Sequence, residues 1–333
     1  MNKKRWVSIA VIIVLLVVYI RTDVVSTRAK TGTTTEKLGD PLSLLSSKSP
    51  FSTETYQEGL GQTIAILNVD GTIEDSGNAL STGTNNFDHQ VFLQEVENAF
   101  ENSEIKAIIL AVDSPGGGVY ESDQIYQKLK SLKDIYQKPL VVSMGSMAAS
   151  GGYYISMPAD KILANRFTMT GSIGVIMSTY NYSQLADKWG IEELVFKSGK
   201  NKDILNPMRD TTQEEMQIMQ GIIDEYYGYF VDVVAKGRKM DRQAVISIAD
   251  GRVYTASQAK SLGLIDQIGD LDGAITEAAK MINETNPKVI KYKKEDLFNL
   301  NTLLSLPSSR LDFSRIKEDL QNSAVPTAMY LYR

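Results

Sequence analysis

Two short apolar runs, Lys106-Ala-Ile-Ile-Leu-Ala-Val112 and Leu140–Met144, each give way to a turn of small residues and then to a helical pattern. Runs of this length bounded by glycine and proline read as buried strands. Strand, small-residue turn and helix in succession, twice over, require strands that lie parallel with helices as their crossovers. The neighbouring segments extend the alternation. Thr63-Ile-Ala-Ile-Leu-Asn-Val69 reads as a strand, and Phe87–Phe100 has helical spacing at Val91, Phe92, Val96 and Phe100. A helix is expected over Tyr120–Tyr136, a helix entrance from Tyr153, and strands at Lys161–Ala164 and Glu193–Phe196. A long helix over Thr212–Lys236 and shorter ones at Arg242–Ile248, Ala256–Ser261 and Leu271–Ile282 complete the pattern. The expected fold class is α/β with a largely parallel sheet, its small-residue turns gathered at the sheet end where such folds place their sites.

The chain of 333 residues carries a formal net charge of -5 with lysines and acids interspersed, which argues against a nucleic-acid partner. It has no cysteine and one histidine, His89, so redox thiols, disulfides and zinc ribbons are excluded, and no metal or cofactor is expected. Lys3, Lys4 and Arg5 precede an apolar run from Trp6 to Ile20 that Arg21 closes. The run is short for a span of about 20 residues, but flanking cations can snorkel to lengthen it. Residues 1–21 therefore read as a cytoplasmic end and transmembrane anchor, which puts the rest of the chain on the outer face of the membrane. A cleaved signal peptide is the rival, disfavoured because no small-x-small cleavage site follows. Residues 22–61, rich in Ser, Thr, Lys and Gly, read as a linker, 62–295 as the folded domain and 296–333 as a tail.

Two turns could carry chemistry. Asp113-Ser-Pro-Gly-Gly-Gly118 leaves unshielded backbone amides at a helix start, a setting for a developing oxyanion or simply a tight connection. It lacks the lysine of a nucleotide-binding loop. Ser150, in Met147-Ala-Ala-Ser-Gly-Gly-Tyr153, occupies the same position one unit later, with Gly151 able to offer a second amide. A serine hydroxyl needs a base, and His89 lies in a mixed-polarity stretch expected at the surface, so a lysine is the remaining candidate. Lys197, Lys200 and Lys202 follow the Glu193–Phe196 run; a lysine base must be neutral, which calls for partial burial. Ser257-Gln-Ala-Lys260 has the Ser-x-x-Lys spacing but lacks the partner motifs of the penicillin-binding enzymes, so Ser257 reads as a helix residue.

Together, Asp113–Gly118, Gly145-Ser-Met-Ala-Ala-Ser-Gly-Gly-Tyr-Tyr154, Thr170-Gly-Ser-Ile-Gly174, Ser198-Gly-Lys-Asn-Lys-Asp203 and Gly251-Arg-Val-Tyr-Thr255 resemble the signal peptide peptidase A family. These are membrane-anchored Ser-Lys proteases of the Clp/crotonase fold with repeated ββα-type units, and the single motif set resembles the short form. The resemblance implies Ser150 as nucleophile, Lys202 as base, and the amides of Gly117 and Gly151 as oxyanion hole. Thr170 or Ser172 is expected to orient the lysine. It further implies a homo-oligomeric ring, an octamer, acting on hydrophobic peptides such as signal-peptide remnants, without nucleotide or other cofactor. Whether serine and lysine come from one copy or two stays open. A crotonase-like acyl-thioester enzyme and a membrane-tethered scaffold are the competing readings. The last residues, Ala328–Arg333, are expected to enter an active-site groove as a product-like inhibitor.

Overall fold

The computed structural model describes residues 49–75 and 87–295 and the backbone of 329–331. The expected anchor, the linker up to residue 48 and most of the tail lie outside the described residues. In chain order the strands are β1 (Phe51–Gln57), β2 (Thr63–Asp70), β3 (Ile105–Ser114), β4 (Gly116–Gly118), β5 (Leu140–Ala149), β6 (Lys161–Ala164), β7 (Met169–Gly171), β8 (Val253–Thr255), β9 (Gln267–Ile268), β10 (Lys288–Lys294) and β11 (Met329–Leu331). The helices are α1 (His89–Glu101), α2 (Val119–Tyr136), α3 (Gly151–Tyr154), α4 (Ser183–Trp189), α5 (Gln213–Arg238), α6 (Arg242–Ile246), α7 (Ala256–Ser261) and α8 (Leu271–Met281).

The molecule is a mixed α/β protein built on a central sheet ordered β1-β10-β2-β3-β5-β6-β9. β10, β2, β3, β5 and β6 run parallel, and both faces are covered, which is why the central strands read as unbroken apolar runs. Leu67, Ile108, Leu110 and Val142 face a core shared with Phe92, Phe100, Tyr154 and Phe230 of the helical layer. Tyr154 sits between Tyr126 and Phe230, with ring centroids 5.3 and 5.1 Å away in edge-on contacts. On the opposite face Ile64, Ile66, Ile109 and Val141 pack on Ala274, Ile275 and Ala278 of α8.

Three expectations change. The linker ends earlier than residue 61, because 51–57 form β1, which pairs antiparallel with β10 at the sheet edge. Its alternation is mostly solvent-facing, so it carries little apolar signal. Glu193–Phe196 is no strand; it is exposed in the long connection between β7 and α5, away from the sheet. His89 is buried rather than solvated, its Nε2 2.7 Å from Gln124 Oε1, because α1 packs its first turn onto α2.

The feature that aims the chain is a change of partner within β5. Val141–Met144 pair with β6, whereas Met147–Ala149 pair with β7. Asp113 Oδ1 accepts hydrogen bonds from Ser146 Oγ at 2.6 Å and from the Met147 amide at 3.0 Å, fixing the switch. A Cβ on Gly145 would stand 3.0 Å from the Asp113 carboxyl carbon, so the corner is built around glycine.

Glu95 of α1 is buried against the end of β10, and burial pushes its carboxyl up to about 7. A carboxyl raised in the folded state binds a proton that the unfolded chain has lost, so stability declines as pH rises from the ordinary value of 4.5 through about 7. Glu95→Gln should therefore stabilise the protein at pH 8 by on the order of 2 kcal/mol and much less at pH 4. Thermal melts of both proteins at the two pH values measure it.

Candidate active site

Ser150 ends β5 and serves as N-cap of α3, with φ 52° and ψ -117° and only 1% of its surface exposed. A non-glycine residue in such a conformation costs about 1–3 kcal/mol and persists only where its surroundings hold it. Here the Ser150 amide donates to Gly171 O at 2.8 Å, and its carbonyl accepts from the Tyr153 and Tyr154 amides at 3.0 and 2.9 Å. Tyr153 anchors the same turn from below, its hydroxyl donating to Leu264 O at 2.7 Å. Gly151 lies in the first turn of α3, where amides have no intrahelical acceptor. Gly152 packs on the end of β3: a Cβ there would come 2.8 Å from Ser114 O. The serine turn is thereby set directly beside β4, which contacts α3.

β4 is the other half of the site. The Ile73 amide donates to Gly116 O and the Gly118 amide to Ile73 O, both at 2.8 Å. The alternation of a strand then turns the amide and carbonyl of Gly117 to the opposite edge. That edge is occupied by β11 in antiparallel register, with Met329 opposite Gly118, Tyr330 opposite Gly117 and Leu331 opposite Gly116. β11 also contacts α2 and α3. A Cβ on Gly117 would overlap the Ile73 carbonyl, so only glycine lets the two strands approach this closely. The residues expected to form the amide pair, Gly117 and Gly151, thus flank the serine on adjoining elements.

Thr170 is buried, and its Oγ1 donates to Ala148 O at 2.6 Å. Ser172, at φ 49°, donates its amide to Arg252 O at 2.8 Å. Both brace the β7 turn that receives the Ser150 amide. Lys202 lies elsewhere, exposed on the connection between α4 and α5. Of its neighbours, Lys197 pairs with Asp203 and Lys200 with Glu214, each at 2.6 Å, whereas Lys202 joins neither pair. Among the described residues no hydrogen bond links Lys202 to Ser150 within one chain. Leu194 and Phe196 on the same connection, and Tyr180 and Trp189 just before it in the chain, are exposed. Ser257 and Lys260 lie exposed on α7, capped by Thr255, in line with a plain helical role.

Asp113, which pins the β5 corner, and Ser114, whose Oγ accepts from the Gly116 amide at 3.1 Å, were not singled out as side chains in the sequence. Their signal was the strand-ending Asp-Ser-Pro itself. The elements together place a buried, strained serine next to two small-residue turns, one of them the strand that pairs with β11. Such a placement suits an acyl-transfer centre, in which a hydroxyl attacks a carbonyl and backbone donors stabilise the oxyanion.

The comparisons with known proteins specify the class. Residues 133–284 match peptidase family S49. A protein of Enterococcus faecium provisionally named signal peptide peptidase SppA is 38% identical over 296 residues, covering 89% of this chain and 86% of that protein. A provisionally named protease of Synechocystis is 39% identical over 72% of this chain and 80% of that protein. Protease 4 of Haemophilus influenzae is 32% identical over 73% of this chain but only 39% of its own length. The protein is a serine peptidase. It belongs to peptidase family S49, the signal peptide peptidase A family.

Arg209 ties the connection that bears Lys202 to the start of α5. Arg209 bonds Asp203 at 2.9 Å and Glu215 at 2.5 Å, and Glu215 completes a capping box with Thr212 at the start of α5. Hydrogen bonds from Arg209 hold the Asp203 carboxyl well below its usual range and bring Glu215 down to about 2. Depressed carboxylates stabilise above their unfolded values and lose that contribution as pH falls through the folded ones. Residues 197–215 should accordingly lose amide-exchange protection between about pH 4.5 and 2, ahead of β2, β3 and β5. Hydrogen exchange followed by mass spectrometry reads this directly, and protection lost equally in the central strands would contradict it.

Proposed function

We propose that the chain is a membrane-anchored endopeptidase of the Clp/crotonase fold that degrades hydrophobic peptides, signal-peptide remnants among them, on the outer face of the membrane. Residues 1–21 act as anchor in this reading, 22–50 as linker, and the sheet domain as the catalytic body. Ser150 is the nucleophile and Lys202 the base. Neutral Lys202 Nζ takes the Ser150 hydroxyl proton as Oγ bonds to the substrate carbonyl carbon. The Gly117 and Gly151 amides receive the oxyanion. Collapse breaks the C–N bond, and the lysinium returns its proton to the leaving amine. Water then hydrolyses the ester, with Lys202 as base again, and Thr170 or Ser172 orients the amine.

The observation that carries this reading is the pairing of an extended segment on β4, across Gly117 and beside the Ser150 turn. An edge strand that accepts a peptide by main-chain pairing suits a peptidase groove, because it holds the scissile carbonyl in register without reading side chains. An acyl-thioester substrate has no strand to offer it.

The connection that bears Lys202 also exposes Leu194 and Phe196, with Tyr180 and Trp189 exposed just before it in the chain, which favours a second copy of the chain as its neighbour. On docking, the apolar surround would bury a lysine amine, the condition under which it serves as a base. The dyad then forms between copies, in a closed ring of which the octamer is one size. Ser150→Ala and Lys202→Ala should each lower peptide hydrolysis by several orders of magnitude. Mixing the two inactive proteins and letting subunits exchange should restore part of the activity, since some sites then receive one intact serine and one intact lysine. A mixture as inactive as its components would place both residues in one chain, and full activity in either single variant would remove that residue from the mechanism.

The tail occupies the edge that substrate needs, so it competes with substrate. Truncation after Pro326 should raise the initial rate of hydrolysis of an added peptide. An unchanged rate would remove the inhibitory role of the tail.

A further inference from the structure

Glu121 stands at the third position of α2, where a carboxylate ordinarily reaches back to accept the N-cap amide. The N-cap here is Gly118, and its amide is already committed to Ile73 O at 2.8 Å. The Glu121 side chain nonetheless lies over Gly118, where a Cβ on that glycine would overlap the carboxylate. Its Oε2 is sealed from water and has no hydrogen-bond partner among the described residues. Among the described residues no lysine or arginine forms an ion pair with it. A carboxylate oxygen held dry without a donor costs more than an exposed one, and the helix start offsets only part of that cost.

The place of this oxygen in the groove defines its use. Directly opposed residues of two paired strands project their side chains to the same face. A side chain on Gly118 would point at Glu121, so the residue of an incoming strand that pairs with Gly118 projects its side chain beside the same carboxylate. In the antiparallel register of β11, that residue precedes the one opposite Gly117. With the Gly117 amide taking the scissile carbonyl, the residue opposite Gly117 is P1 and the one before it is P2.

We propose that Glu121 is a specificity-determining residue that selects a basic side chain, lysine or arginine, at P2 of the substrate. The assignment rests on the peptidase reading above and on Gly117 as an oxyanion donor. It adds a charged element to a groove otherwise read through its backbone. The cation supplies the donor that Oε2 lacks, and an acidic P2 residue meets like charge at close range.

The test uses the full-length chain in detergent with internally quenched peptides identical except for Leu, Lys or Glu at P2, and cleavage positions read by mass spectrometry. The kcat/KM for the Lys peptide should exceed that for the Glu peptide by on the order of tenfold or more. Glu121→Gln should bring the ratio to within about twofold, and Glu121→Lys should invert it. Ratios taken within one variant do not depend on how much of it is folded. A Lys-to-Glu ratio that survives in Glu121→Gln, or a basic preference at another subsite, would overturn the assignment. Ser150 labelled by a fluorophosphonate, together with cleavage indifferent to P2, would sink the Glu121 role and leave the peptidase reading standing. Absence of both labelling and cleavage would remove the two together.

Discussion

The hydrogen bonds from Ser146 and Met147 to the Asp113 carboxylate hold the one irregularity on which the site depends. A straight β5 would continue along β6 and carry Ser150 over the end of the sheet into solvent. Pinned at Gly145-Ser146, its last three residues swing onto β7 instead, and the serine lands between the β7 turn and the end of β3. The two anchoring residues of this corner come from neighbouring strands, so its geometry is inherited from the parallel register of β3 and β5. Loss of the carboxylate would remove both hydrogen bonds at the corner.

Strain at Ser150 follows from the same construction. Its positive φ would be unstable in a surface loop, yet here both backbone groups of Ser150 have partners. The amide binds Gly171, the carbonyl receives two amides of α3, and Tyr153 and Tyr154 fill the core beneath. The cost of about 1–3 kcal/mol is small against the burial of two tyrosines, each worth roughly 2 kcal/mol or more. In return the serine backbone is fixed at the mouth of α3, with the first-turn amides of that helix already oriented. Preorganised donors of this kind need no rearrangement as charge develops.

Much of this was legible in the sequence because both faces of the central strands are buried. Continuous apolar runs at Ile64–Leu67, Ala107–Leu110 and Leu140–Val142 announce such strands whatever their neighbours. Glycine turns announce the site for a related reason: backbone that must approach backbone, as at Gly117 and Gly152, excludes side chains. The misreadings share a cause as well. β1 is an edge strand held by main-chain pairing, with side chains mostly in water, so no periodicity marks it. His89 sits in a mixed-polarity stretch, and its burial is decided by α2, some thirty residues away. Glu193–Phe196 has the composition of a strand without a sheet edge to join. The corner at Gly145 was invisible because a partner switch depends on where β7 returns.

The exposed connection bearing Lys202 points to a division between what one chain can stabilise and what an assembly must. Arg209 ties that connection to α5 through Asp203 and Glu215, so its backbone is ordered without help. Its apolar side chains are not: Phe196, Leu194 and Trp189 face water in a single chain, at a hydrophobic cost of roughly 25 cal/mol for each Å² left uncovered. A framework fixed by ions and a surface left apolar are what an intersubunit contact requires. The same logic makes lysine a suitable base for such a site. In the proposed assembly, activity would be confined to the form in which two copies meet over this connection.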